Sequence, residues 1–289
     1  MSTSVVRTIA ELRAARAAAP GRVAVVPTMG ALHAGHGCLI EAARSAADFV
    51  IVPIFVNPIQ FDRADDFEKY HRDLPADVEF CRARGADLVF APDVEEMYQR
   101  PHRTFVEVER LGDTLCGQHR AGHFRGVATV VLKLFHLTQP DIACFGEKDA
   151  QQLAIIRRMV RDLNVPVEIV EVPTVREPDG LALSSRNRRL TPEQRQNALV
   201  LYRALRRASD LIREGEADPA RLRREAEAMV TGAPDARLEY FEVVDPEEMQ
   251  PVERISGPVR VAGALWMGAT RLIDNLLCTP PDADKSSEV

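Results

Sequence analysis

Aromatic residues are scarce in this 289-residue chain, at 6% of positions with one tryptophan. Leucine, valine, isoleucine and alanine make up for them, the apolar fraction reaches 46% and no segment is low in complexity. Disorder by composition is excluded. Net basic charge is lacking too: 37 Lys and Arg against 43 Asp and Glu leave −6, so the chain as a whole is not drawn to nucleic acid or to an anionic membrane, although a local basic pocket stays open. Long apolar runs are missing. The longest, Phe49 to Phe55, includes Pro53 and falls far short of the roughly 20 residues of a membrane helix. Cysteines number five, an odd and scattered set with no secretory pattern before them, which excludes a disulfide framework and makes a reducing cytoplasm the expected compartment. No P-loop pattern is present.

What is there is alternation. From Val23 to Val172 the strand-like runs RVAVVP, FVIVPIF, ADLVFAP, DIACF and VPVEIVEVP are separated by helical patterns such as CLIEAARSAA, ADVEFCRARG and DAQQLAIIRRMVRDL. Such alternation marks βαβ units, and the right-handed crossover rule makes a doubly wound, Rossmann-like parallel sheet the expected architecture. Ahead of it, TIAELRAARAAA reads as a surface helix. After Pro173 the texture changes. Thr191, Pro192 and Gln194 form a capping-box start for one long helix, a second begins at Asp218 and Pro219, and RLEYFEVVD, PVRVAGALWMG and TRLIDNLL read as antiparallel strands. The expected division is a domain over 1–175 for the nucleotide-type sheet, a smaller α+β domain over 176–280 and a frayed tail over 281–289.

Four segments carry candidate chemistry. PTMGALHAGH, residues 27–36, ends the first of these strands with Gly30 and Gly35 around His33 and His36. A helix N-terminus offers amides and a positive dipole end to phosphate, and two imidazoles three residues apart can donate to phosphoryl oxygens together. One histidine as a cap with the other packed on the sheet is the alternative, and zinc lacks a third ligand at a recognisable spacing. FGEKDAQQ, residues 145–152, repeats the strand-to-helix setting: Gly146 permits a tight turn, Lys148 can reach phosphate, Asp149 can accept from ribose or cap the helix, and the amides of Gln151 and Gln152 suit hydroxyl or carboxylate recognition. LALSSRNRR, residues 181–189, offers two hydroxyls and a guanidinium to phosphate oxygens, or is simply a polar linker. FVNPIQF, residues 55–61, places Asn57 and Gln60 at the end of another strand. Cys116, His119 and His123 are spaced like part of a metal site but lack a partner pair.

Taken in order, PTMGALHAGH, FVNPIQF, GHFRGV, FGEKDAQQ, GLALSSRN and RLIDN resemble the pantoate–β-alanine ligase (pantothenate synthetase) family from about residue 5 to 277. The histidine segment alone is shared with the wider nucleotidyltransferase superfamily. The resemblance implies a Rossmann-like ATP domain, a smaller C-terminal domain that closes over the site, a homodimer, and magnesium-dependent ligation of pantoate to β-alanine. It assigns ATP binding to Met29, Gly30, Ala31, Leu32, His33, Ala34, Gly35 and His36, to Gly146, Glu147, Lys148 and Asp149, to Val175 through its backbone against adenine, and to Leu183, Ser184, Ser185 and Arg186. His36 matches the family's proton donor; His33, Lys148 and Arg186 share the catalytic work; Gln60 and Gln152 match the pantoate contacts, Gln60 also adjoining the amine site. Magnesium ligands are not assigned. Two prolines usual in the family are replaced, by His71 between Tyr70 and Arg72 and by Ala121 between Arg120 and Gly122, which bears on loop rigidity.

Implied with the family is a two-step reaction through an acyl adenylate with release of pyrophosphate, in which no enzyme side chain becomes acylated. The rivals are a nucleotidyltransferase that stops at an adenylylated product and a non-catalytic nucleotide sensor. Small molecules are the expected partners, with no nucleic acid and no membrane.

Overall fold

Strands covered on both faces must be apolar at nearly every position, and VAV, FVIVP, LVF and IACFG meet that demand. In the computed structural model, which describes residues 3–281 apart from the side chains of residues 64 and 65, they form the middle of a six-stranded sheet. Its strands are β1 (Ser4–Val6), β2 (Val23–Val25), β3 (Phe49–Pro53), β4 (Leu88–Phe90), β5 (Ile142–Gly146) and β6 (Glu168–Val172), in the spatial order β1-β4-β3-β2-β5-β6. All neighbours run parallel. The chain winds outward from β2 through β3 to β4, then returns and winds the other way from β5 to β6. The order therefore reverses between β2 and β5, and the turns leaving these two strands are PTMGALHAGH and FGEKD. The helix Ala34–Ala46 buries Ile40 and Ala43 with Val50, Val52 and Ile142 of the sheet.

Three further strands, β7 (Ala236–Val244), β8 (Val259–Met267) and β9 (Thr270–Cys278), form an antiparallel meander. The helix Leu199–Arg213 places Leu201, Leu205, Ala208 and Ile212 at helical spacing along one stripe, and these share a core with Leu222, Ala226 and Val230 of the helix Pro219–Thr231 and with Phe241, Val261 and Leu265. Two compact units result. The first holds the chain up to Glu109, Arg120–Glu147 and Ile155–Thr174; the second holds Arg110–His119, Lys148–Ala154 and the chain from Val175 onward. Among the described residues no helix is long and apolar enough to cross a membrane.

Three local differences from the sequence reading have physical causes. β1 is a three-residue strand, too short for periodicity to reveal, that joins the sheet by pairing with β4 alone, from Ser4 opposite Leu88 to Val6 opposite Phe90. The helix starting at the Thr191 capping box ends at Asn197, and a new one starts at Leu199. Ala198, fully buried, sits between them, and Leu201 N bonds Ala198 O in a tighter three-residue turn. Of the tail, residues 282–289 lie outside the described residues.

Leu205 is fully buried at the centre of the second unit's core. Leu205→Ala is expected to lower the unfolding free energy by about 2–5 kcal/mol, read from the urea midpoint with the m-value unchanged; a loss under about 1 kcal/mol would contradict the packing described.

Candidate functional site

The turn after β2 is held open by a carboxylate from another element. Asp77, buried on the helix Leu74–Ala83, accepts from the amides of Ala31 (3.0 Å) and Leu32 (2.8 Å). Those bonds stabilise a backbone that leaves the right-handed region: Gly30 has φ 80° and Ala31 φ 52°, the latter disfavoured for a residue with a Cβ. Gly30 is needed twice over, because a Cβ there would also lie 2.8 Å from Asp77 Oδ2. Burial pushes the Asp77 carboxyl above its ordinary range, and the amides of Leu32 and Ala31 pull it part of the way back.

The two histidines cap the next helix reciprocally. His33 Nδ1 accepts from Gly35 N (3.2 Å) and His36 Nδ1 accepts from His33 N (3.3 Å), with ring centroids 4.2 Å apart. A neutral imidazole that accepts at Nδ1 carries its proton at Nε2. The cap reading and the phosphate-donor reading are thus compatible, since capping sets the tautomer that turns Nε2 into a donor. One expectation changes. The helix N-terminus was expected to offer free amides to phosphate, and the Gly35 amide there, like those of Ala31 and Leu32 in the turn before it, is bonded within the protein.

At the end of β3, Gln60 and Asn57 sit in a buried polar chain. Tyr98 Oη donates to Asn57 Oδ1 (2.9 Å), Asn57 Nδ2 donates to Gln60 Oε1 (3.0 Å) and to Gly126 O (3.1 Å), and Gln60 Nε2 points at Met29 Sδ (2.9 Å). PTMG, NPIQ and GHFRGV therefore meet in the first unit. His123 Nε2 receives the guanidinium N–H of Arg120 (3.1 Å), so its Nδ1–H donates to Gln60 O (2.8 Å).

In the second unit a cleft enclosing about 390 Å³ of non-protein space, open solvent included, is lined by Lys148, Ser184, Arg186, Tyr202, Arg271 and Asp274 among others. It brings the GEKD, SSRN and RLIDN segments together. Ser184 Oγ accepts from Arg186 N (3.2 Å) as the cap of the 3₁₀ turn Ser185–Arg189, and Leu183 N bonds Val175 O (2.9 Å), fixing both ends of a short hairpin. Lys148 Nζ lies 4.0 Å from Asp149 Oδ2, and its carbonyl receives Asn275 Nδ2 (3.0 Å), while Asn275 Oδ1 accepts from Arg260 (2.5 Å). Arg176 grips Asp274 through two bonds of 2.6 and 2.9 Å. Burial alone would raise the Glu239 carboxyl, yet Arg271 and the Trp266 indole N–H hold it below the ordinary range.

Several sequence candidates have structural work. Gln151 bonds Cys116 N, Leu111 O and Thr114 O, and so fastens the 111–116 loop rather than serving recognition; the half-buried Gln152 lies one residue along. Cys116 Sγ lies 3.2 Å from Tyr240 Oη, and His119 stacks on the Tyr240 ring. Burial pushes the Cys81 thiol up to about 12 and the Cys144 thiol up to about 11, which keeps both un-ionised at neutral pH; all five cysteines are unbridged. Asp77, Tyr98 and Asn275 were not singled out from sequence. The one available signal for Asp77 was an acid on the stripe shared with Leu74, Val78 and Cys81.

A family model described as pantoate-beta-alanine ligase matches residues 4–277. A pantothenate synthetase of Moorella thermoacetica is 54% identical over 274 residues, 94% of this chain and 97% of its own, and one of Salinispora arenicola is 53% identical over 275 residues, 95% and 97% of the two chains. Among solved structures, the pantothenate synthetase of Thermus thermophilus superimposes with TM-score 0.90 at 48% identity, covering 96% of this chain and 100% of its own. A pantoate-beta-alanine ligase of Francisella tularensis, complexed with beta-gamma ATP and beta-alanine, gives TM-score 0.80 at 33% identity over 96% and 98% of the chains.

Asp77→Ala leaves two amides of the turn without their acceptor and is expected to lower stability at pH 7 by about 2–4 kcal/mol. The pH dependence has a definite sign. A carboxyl whose folded pKa lies above the ordinary 3.8 binds a proton on folding, so the wild type gains stability as pH falls through the window just above that value. The variant lacks this gain, and urea titrations should show its deficit widening in acid; a deficit that narrows would contradict the assignment.

Proposed function

The chain belongs to the pantoate–β-alanine ligase family, and from that premise we propose how its residues divide the work. The protein condenses pantoate with β-alanine, using ATP as co-substrate. The observation that best supports a nucleotide-activated mechanism is the placement of two polar turns, PTMGALHAGH and FGEKD, at the carboxyl ends of the adjacent strands β2 and β5, where the strand order reverses. Doubly wound sheets take nucleotides at that point.

A carboxylate is a poor acyl donor, so a pantoate carboxylate oxygen attacks the α-phosphorus of ATP, the bond to the bridging oxygen breaks, and pyrophosphate leaves with the electron pair. The β-alanine amine then attacks the carbonyl of the adenylate; the C–O bond to AMP breaks, and the amine loses its proton. Negative charge crowds the first step, and preorganised donors answer it. In our reading Nε2–H of His33 and of His36, the residue at the family's proton-donor position, donates hydrogen bonds to phosphate oxygens, and Lys148, Ser184 and Arg186 neutralise the departing pyrophosphate. Met29–His36, Gly146–Asp149 and Leu183–Arg186 shape the ATP site, Val175 meets adenine through its backbone, and Gln60 and Gln152 orient pantoate.

Magnesium enters this scheme with the triphosphate. Among the described residues no group of three or more His, Cys, Asp or Glu side chains could hold a metal, so no side chain of this protein is assigned to the ion. When bound it supplies charge neutralisation to the phosphates. On the family resemblance we also propose a cytoplasmic homodimer.

Pantoate alone should support exchange of labelled pyrophosphate into ATP, and β-alanine should then release AMP and pantothenate in equal amounts. Lys148→Ala should slow adenylate formation by about 10²–10³ in single-turnover kinetics. ADP as product, or wild-type adenylate formation in the variant, would overturn the scheme.

A further inference from the structure

An amide side chain presents two nearly identical faces to a ligand, an acceptor oxygen and a donor NH₂. A carboxylate can only accept, so a glutamine that holds pantoate's carboxylate must offer it nitrogen. Which end of Gln60 faces outward is decided by what grips the other end, and the polar chain behind it answers that. We propose that Tyr98 is a positioning residue for pantoate recognition, which through Asn57 sets the Gln60 amide with its NH₂ toward the substrate. The inference rests on the assignment of Gln60 to pantoate.

The direction of the chain originates in a backbone group that cannot reverse. The Gly126 carbonyl only accepts, and it takes one hydrogen of Asn57 Nδ2 at 3.1 Å. It comes this close because residue 126 has no side chain: a Cβ there would lie 2.4 Å from Ile59 O and 2.6 Å from Gln60 Cα. With Nδ2 toward Gly126, Asn57 Oδ1 must point the other way, into the protein, and it meets the Tyr98 hydroxyl at 2.9 Å. The second Nδ2 hydrogen goes to Gln60 Oε1 at 3.0 Å, which leaves Gln60 Nε2 on the Met29 side. Asn57 is 1% exposed and Tyr98 5%, so no bulk water replaces a missing partner.

Tyr98 is suited to a permanent donor role. Its ring is fixed between Phe55 and His102, with centroids 5.9 and 4.7 Å away, and Lys133 Nζ lies over the ring face at 5.5 Å. Burial raises its phenol well above the ordinary value of 10. The hydroxyl therefore keeps its proton at neutral pH and can donate it to Asn57 Oδ1.

The test is Tyr98→Phe, which keeps the ring packing and removes only the donor. With Asn57 Oδ1 unpaired, only the Gly126 carbonyl still holds the Asn57 amide in its direction, the Asn57–Gln60 pair is positioned less firmly, and KM for pantoate should rise about tenfold, equivalent to roughly 1.4 kcal/mol. KM for ATP should stay near wild type even though the lost buried hydrogen bond lowers the thermal midpoint by a few degrees, a split that general loosening of the core would not produce. Asn57→Ala supplies the second arm. If Tyr98 acts through Asn57, adding Tyr98→Phe to that variant changes the pantoate KM no further; should Asn57→Ala not fold, the KM split of the single variant decides. Gln60→Ala separates this inference from the reading beneath it. If Gln60→Ala weakens pantoate and Tyr98→Phe does not, the relay is wrong and the site stands; if Gln60→Ala is silent, the site assignment fails and the inference with it.

Discussion

Backbone amides that leave a parallel sheet at its carboxyl edge have no strand partner left, and a buried one must find another acceptor. Asp77 meets that constraint for Ala31 and Leu32, and the geometry around β2 follows from it. The clamp holds Ala31 in a left-handed conformation, requires glycine at position 30 and delivers the chain to His33 in the extended conformation from which a helix is capped. His33 and His36 then satisfy two more amides with Nδ1, and that act sets the proton on Nε2. A structural need and a chemical one are met by the same atoms.

Similar economy recurs in the second unit, where the polar groups lining its cleft are held by others behind them. Asn275 holds the carbonyl of Lys148 while Arg260 holds Asn275, and Asp274 is gripped by Arg176, whose guanidinium also stacks on Tyr202. Arg271 is bound by Glu239, which in turn receives the Trp266 indole N–H. Groups restrained in this way lose little further freedom when charge develops, the condition under which fixed donors are most effective.

The sequence was most legible where one chemical demand acts along a run of residues. Strands buried on both faces produced VAV, FVIVP and IACF, and two-faced burial could be read from them without knowing their order. The PTMGALHAGH and FGEKD turns were legible as strand-to-helix junctions, because in each a glycine follows an apolar run and a helical pattern comes after it. Illegible were single residues whose partners lie far along the chain: Asp77 is 45 residues from Leu32, and Tyr98 is 41 from Asn57. Nothing local distinguishes such an acid or phenol from a surface one. Gln151 and Gln152 show the converse, since adjacent identical residues looked equally suited to recognition and one of them is fully engaged in holding the 111–116 loop.

The central claim is that a pantoate carboxylate oxygen bonds to the α-phosphorus of ATP before the amine reacts. Pantoate labelled with ¹⁸O in its carboxylate tests this directly, by mass spectrometry of the products after a full turnover with β-alanine. An adenylate requires one labelled oxygen to leave with AMP. AMP without label, or label in pyrophosphate or inorganic phosphate, would contradict the account.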